Sequence, residues 1–395
     1  MQESPSPTGS FTVKRINRLA DINPADWDAL LNNSNPFLTH AFLAGLENHG
    51  CLTEHGWQPC HTLVYEGNTL AGALPLYLKG NSYGEFVFDW SWADAYERAG
   101  GHYYPKLVSA IPFTPVRGAR LLINRDNPKF LAIKKLLLEN VLEWVDASAL
   151  SSFHCLFLER NDNDFALLDT SGLLPRKTCQ FFWHNKGYRD FQDFLETMSS
   201  KKRKQIRRER RQIIENDIRI ERIPGDAITA EQWRIFYEFY CSTFYRRWGS
   251  PRLTYEFFLS LSRELPRNTL LILASRNNDY IAGAFSMLDD TSLYGRHWGC
   301  SRDFPYLHFE LCYYQTIEHA IRHGLKIVDA GVQGEHKLSR GFQPESAISY
   351  HWIQHPGFRN AIDQFLRRES AGVDDYIREL RAHLPYKSLS DSLDH

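Results

Sequence analysis

The sequence predicts a mixed α/β (α+β) protein made of two successive copies of one unit, each a mostly antiparallel mixed sheet flanked by helices. Three observations point there. A chain of 395 residues is long for a single hydrophobic core, and two domains are the expectation. Strand-like and helix-like patterns alternate in the same order in both halves. The pentapeptide LAGAL at 70–74 returns as IAGAF at 281–285, at the same place in each half, and such self-similarity marks repeated units.

The first half opens on FTVKRINRL, which alternates like a strand. NPADWDALLNN and PFLTHAFLAGLENHG follow with helical spacing and capping-type starts. HTLVYEGNTLAGALPLYLKG reads as two strands joined at EGN, and YGEFVFDW and ARLLI as further strands. PKFLAIKKLLLENVLEWVDAS carries the apolar period of a helix, and FHCLFLE is a buried strand. In the second half DIRIERI is a strand, and TAEQWRIFYEFYCSTFYRRW and TYEFFLSLSREL are helices. TLLILASRNNDYIAGAFSMLDD is a hairpin turning at RNND, and SLYGRHWG is a strand. LHFELCYYQTIEHAIRHG is one helix with a glycine stop, and KIVDAG a strand. The expected division is a disordered tail over 1–10, a first domain over 11–190, a basic helix with the second domain over 191–355, and a helical extension over 356–395.

Composition excludes several classes. Formal net charge is -1, so no global field draws the chain to nucleic acid or membrane, and any such binding must come from a local patch. Seven scattered cysteines without a CxxC pair argue against a disulfide framework or a zinc cluster. MQESPSPTGS lacks the apolar core of a signal peptide, and no apolar run is long enough to span a bilayer. The expected location is the cytoplasm, including its boundary with the inner face of the membrane. Aromatic residues make up 14% of the chain, enough for large cores or for clefts that take apolar ligands.

The element order resembles the GNAT acyltransferase fold, and two such units joined by a basic helical segment resemble the Fem family, which adds amino acids to peptidoglycan precursors from aminoacyl-tRNA. DWSWADAYERAGGHYYPKLVSAIPFTPVRGARLL (89–122) and AGVQGEHKLSRGFQP (330–344) narrow the resemblance to the Fem-like, peptidoglycan biosynthesis or recognition family of bacterial N-acyltransferases. The resemblance covers nearly the whole chain and implies tandem GNAT-like domains.

N-acyl transfer needs an amine held near an activated carbonyl, a route for the amine proton and donors aimed at the developing oxyanion. The GNAT resemblance implies that a turn after the fourth strand presents N–H groups to a donor pyrophosphate. FTPVRGAR (113–120) loosely matches it, so Arg117, Gly118 and Arg120 are candidates for the donor phosphate, against an ordinary strand-entry turn. GCSRDFPYLHFELC, the equivalent place in the second half, has no glycine-rich loop, which leaves acyl-CoA, acyl carrier protein and aminoacyl-tRNA open as donors.

VDAGVQGEHKLSRGFQP (328–344) gathers two acids, a histidine and two cations after a buried strand. In open α/β sheets the loops after the strands line the crevice. Asp329 and His336 resemble an Asp and a His of the leucyl/phenylalanyl-tRNA–protein transferases, although Gly331 stands where those have Gln. Glu335 or His336 is expected as base, with Gln333, Lys337 and Arg340 binding substrate; the bland alternative is a solvated loop. Asp94, among Trp90, Trp92 and Tyr96, is either a desolvated carboxyl group suited to proton transfer or a helix cap. Tyr104 and Lys106 are open to the same two readings, Lys106 as an anion binder. His297 is a candidate for substrate contact or a structural strand histidine, Glu310 lies at a helix start, and Cys312 reads as core.

SKKRKQIRRERRQ (200–212) has eight basic residues between Lys201 and Arg211, with Ile206 and Ile213 as the only apolar seam. It is a solvated linker helix or a phosphate-binding surface for tRNA, a nucleotide-linked substrate, an acyl carrier protein or an anionic lipid surface. The expectation is an N-acyltransferase without a tightly bound cofactor or metal, acting on an amine of a cell-envelope precursor or a long-chain lipid amine. The alternative is a non-catalytic protein that recognises an anionic envelope precursor through an inter-domain cleft. A nucleic-acid protein is a third reading, carried by 201–211 alone.

Overall fold

The alternation in FTVKRI becomes β1 (Phe11–Ile16), the first element in a computed structural model that describes residues 11–246, 249–332 and 334–387. The expected tail over 1–10 and Gln333 lie outside the described residues. The chain divides into two units. One comprises the chain up to Phe113, Arg117–Arg176 and Ile348–Leu366; the other comprises Thr114–Val116, Lys177–Ala347 and the chain from Arg367 on.

In the first unit β2 (Trp57–Pro59) is short, and β1 pairs antiparallel with β3 (His61–Glu66), which turns at the expected EGN into β4 (Thr69–Leu74). β5 (Tyr77–Lys79) and β6 (Lys106–Ser109) continue from β2 in the antiparallel order β2-β5-β6, and the fully buried β7 (Ser152–Leu158) adds in parallel to β6. The helix Phe130–Ala147 buries Ile133, Leu137 and Val141 against this core.

Two expected strands are absent here. YGEFVFDW is broken by Gly84 and Phe86, both in the left-handed region, and runs instead into the helix Trp90–Arg98. ARLLI makes only isolated bridges, Ala73 to Leu122 and, beside it, Gly118 to Leu158. The Arg120 side chain is turned inward and donates to the carbonyls of Leu156 and Phe157 at 2.9 and 3.1 Å, taking acceptors on β7 that a paired strand would use.

The second unit contains β8 (Leu174–His184, from Lys177 on), β9 (Arg219–Pro224), β10 (Thr269–Arg276), β11 (Asp279–Leu288), β12 (Ser292–Cys300) and β13 (Ile327–Asp329). Their order is β9-β10-β11-β12-β13-β8, antiparallel except for β12 with β13. Asn277 and Asn278 both take positive φ at the β10–β11 turn, as a two-residue hairpin loop requires. The helix Ala230–Tyr245 starts on a capping box of Thr229 and Gln232. β14 (Gln343–Ile353) follows, and its residues from Ile348 on pair antiparallel with β7 in the first unit. The helix Pro356–Ala382 follows β14.

The repeated pentapeptide has a physical cause. A Cβ on Gly72 would lie 2.5 Å from Ile133 Cγ2, and one on Gly283 would lie 2.8 Å from Phe236 Cδ2. In each unit a helix crosses its strand at the same point of the motif, so closely that only glycine fits. One helix departs from the sequence pattern: 307–322 is not continuous α-helix but contains a π-helical turn, Glu310–Tyr314. Such turns often occur at functional sites.

Candidate functional site

β12 and β13 run side by side only from Ser292 to Tyr294. β13 then ends at Asp329, while β12 continues to Cys300. A cavity of about 340 Å³ opens where they part, its wall formed by β11, β12, the π-helical turn and the loop after β13. The loop is shaped into a 3-10 helix, Glu335–Arg340.

His336 lies on the cavity wall, with its Nε2 2.9 Å from the hydroxyl of Tyr313. Although the residue is solvent-exposed, partial burial of its ring lowers the pKa from the ordinary value, helped by Arg340 and Lys337, so the ring is neutral at neutral pH and able to accept a proton. Tyr313 stands on the π-helical turn, and burial pushes its hydroxyl far above the usual range, so it keeps its proton. Lys337 is 4% exposed, and its Nζ donates to the carbonyls of Ala330 and Gly331. Burial brings its pKa down to about 8 against the pull of Asp329. Asp329, itself buried, accepts at 2.7 Å from the Gly331 amide. His297 forms another wall, stacked on Phe285 with ring centroids 6.2 Å apart and edge-on to Tyr240. Burial and then Arg296 hold it neutral. Cys312 also lines the cavity, but burial keeps its thiol far above the range in which a thiolate forms.

Lys337 has a consequence for stability. The unfolded ammonium keeps its proton up to about 10.5 and the folded one only to about 8. Between these values the unfolded chain binds more protons, so this group makes stability rise with pH across that window, and the gain is lost as pH falls through 8. Lys337→Met is expected to abolish that rise and to melt higher than wild type near neutral pH. Melting curves collected from about pH 7 to 10.5 check this; identical pH dependence in both proteins would count against it.

Two other loop residues are occupied elsewhere. Arg340, read as an anchor for an anionic group, is 4% exposed and donates through Nη2 to both carboxylate oxygens of Glu209 at 3.1 and 3.2 Å. Its Nη1 donates to the His336 carbonyl at 2.7 Å, and its guanidinium lies 3.4 Å from the Phe309 ring centroid. Glu335 is exposed and accepts from the Tyr376 hydroxyl at 2.7 Å.

The basic helix Ser200–Glu215 buries Ile206, Ile213 and Glu209. Arg210 turns inward to Glu310 and Glu318 at 3.1 and 2.8 Å. Lys201, Lys204, Arg207, Arg208 and Arg211 are exposed. No carboxylate among the described residues pairs with them, and their spacing sets them along one outward side.

The candidates of the first unit are placed differently. Asp94 is 64% exposed and paired with Arg98 at 2.6 Å, so the desolvation expected for it is not found. That environment belongs to Asp89 and Glu85. Lys106 is fully buried and donates to Ser82, Glu85 and Asp89 at 2.9, 2.9 and 2.5 Å; the anion it binds is the protein's own. Burial pushes Glu85 up to about 7, whereas Lys106 and His154 overcome burial at Asp89 and hold it well below the usual range. Tyr103 donates to Asp89 at 2.6 Å, and Tyr104 shares a 2.8 Å hydrogen bond with Ser82. The donor-phosphate turn is filled from within. The Gly118 amide donates to Phe157 O at 3.1 Å, Arg117 O accepts from Asn35, and burial lowers the pKa of the fully buried Arg120 to about 10.

Tyr313, Arg296 and Glu209 were not among the residues singled out from sequence. Arg296 stands next to His297 on β12 and donates to Thr114 at 3.1 Å. The lone acid inside the basic run was the one available signal for Glu209; nothing in the helical pattern marks Tyr313.

The fold is mixed α/β, and the opening lies between two parallel strands of its sheet. The sequence matches the FemAB-like family, peptidoglycan biosynthesis/recognition, over residues 18–388, and the chain belongs to that family. Its fold is similar to that of FemX (12% identity, TM-score 0.54), with 89% of this chain and 100% of that chain covered. Similarity also extends to L-PGS from Bacillus licheniformis (11% identity, TM-score 0.48, 87% of this chain and 97% of that chain). A tandem GNAT protein from the clavulanic acid biosynthesis pathway is likewise similar (11% identity, TM-score 0.47, 88% and 99%). No curated protein matches the sequence. Among the described residues no helix is long and apolar enough to cross a membrane.

Proposed function

We propose that the protein is an N-acyltransferase whose reaction takes place at the opening between β12 and β13. The observation that carries this reading is the neutral His336 facing Tyr313 across 2.9 Å on the wall of that cavity. An acceptor amine attacks the activated carbonyl, forming the C–N bond as the bond to the leaving sulfur or oxygen breaks. His336 takes the amine proton, the Tyr313 hydroxyl supplies one to the leaving group, and the proton passes back across the 2.9 Å contact. The Lys337 ammonium stabilises the oxyanion, an effect strongest where water is excluded. The acceptor is an amine of a cell-envelope precursor or a long-chain lipid amine, and the donor carrier is coenzyme A, an acyl carrier protein or tRNA. Purified protein incubated with each labelled donor and a panel of such amines should form labelled amide with one donor; no amide with any would end the reading.

The five outward cations of the basic helix also favour a second reading, in which the protein recognises an anionic envelope precursor without transforming it. In both, the outward stripe holds phosphate. Reversing Lys204, Arg207, Arg208 and Arg211 to Glu is expected to weaken capture of a phosphate-bearing substrate, with less effect on the chemical step. Binding by wild type should weaken with added salt and binding by the variant should not, because the helix displaces counterions. Arg210 is left intact because it is committed to Glu310 and Glu318. Equal salt slopes in the two proteins would reduce the stripe to a solvated face.

A further inference from the structure

The cavity's charges are arranged unequally. Its mouth and walls present Lys337 and Arg296 as cations, and His297, His308 and His336 as neutral rings. No carboxylate belongs to the wall among the described residues. Asp329, at the end of β13, is buried and already accepts from the Gly331 amide. The carbonyls of Ala330 and Gly331 accept from the Lys337 ammonium. The protein's own ammonium thus stands where a substrate's ammonium would find acceptors. The remaining wall includes the rings of Phe285, Trp298 and Tyr313, with the hydroxyls of Ser286 and Tyr313 as its polar groups.

We infer that this cavity takes an acyl group that is uncharged or carries an anion, and rejects one that carries an ammonium, so that the donor is a plain acyl carrier and not an aminoacyl one. The inference rests on the cavity being the acyl site. A charged amine entering would lose its water, meet two cations and find no carboxylate on the wall to offset its charge, and a buried charge without a counter-charge is a large cost. An uncharged chain or ring loses nothing of this kind and gains the apolar wall. The size suits a phenylpropionyl-sized or medium-chain group, since ligand sites of about 300 Å³ and above enclose small molecules.

Three probes of matched shape test it with the full chain: 3-phenylpropionamide, 3-phenylpropionate and phenylalaninamide, which adds only an α-ammonium to the first. Titration calorimetry of wild type is expected to show phenylalaninamide binding at least about tenfold more weakly than the other two, about 1.4 kcal/mol at room temperature. Lys337→Met should narrow the gap, and Lys337→Glu should reverse it, with circular dichroism confirming that each variant folds. Gly295→Leu, which adds a bulky side chain to a residue of the cavity wall, should abolish binding of all three. Phenylalaninamide binding as tightly as 3-phenylpropionamide to wild type would overturn the selectivity while leaving the acyl site in place. Binding that survives Gly295→Leu, or no binding of any probe, would overturn both.

Discussion

Glu209→Ala is expected to destabilise the protein by about 3–5 kcal/mol, the usual cost of stripping one partner from a buried ion pair. Glu209 is 1% exposed and Arg340 4%, and the carboxylate accepts from Arg340 and from the Tyr314 hydroxyl. Removing it leaves a guanidinium in the interior with a missing counter-charge. Denaturant melts measure the loss. The double variant Glu209→Met, Arg340→Met should recover much of it, because replacing both partners by apolar groups is often close to neutral. Turnover should not recover in the double variant, since the Arg340 Nη1 hydrogen bond to the His336 carbonyl is gone as well. A single variant as stable as wild type would mean that the pair is solvated after all.

His336→Asn carries the largest expected effect on rate. Loss of general acid–base catalysis lowers turnover by about 10²–10⁴-fold, and at an exposed loop position it opens no cavity. The melting temperature should therefore stay near that of wild type while the rate collapses. Tyr313→Phe should also slow the reaction, by less than His336→Asn if the hydroxyl serves mainly the leaving group. Unchanged turnover in both would remove the pair from the chemistry.

How much of this was legible in the chain differs between elements. The alternating and 3.6-residue patterns placed most strands and helices, because those patterns report burial directly. YGEFVFDW misled for a definite reason: its apolar residues look like a strand, but Gly84 and Phe86 adopt left-handed conformations that no alternation reveals. The loop at 335–340 was found because several chemically able side chains crowd a short stretch after a buried strand. Which of them face the opening was not legible. His336 and Lys337 are neighbours in sequence and both reach the cavity, whereas Glu335 turns to Tyr376 and Arg340 to Glu209. Asp94 and Asp89 differ by five positions in one aromatic stretch, and only the partner, Lys106 on a distant strand, decides which is buried. Long-range ion pairing leaves no local trace.

The basic helix acts as a strut with two loads. From its inward side Glu209 grips Arg340, which holds the carbonyl of His336, while Arg210 grips Glu310 at the start of the turn that carries Tyr313. His336 and Tyr313 thus hang from adjacent residues of one rod, whose opposite side is a row of exposed cations. The seating of this one helix therefore bears on both sides of the 2.9 Å contact.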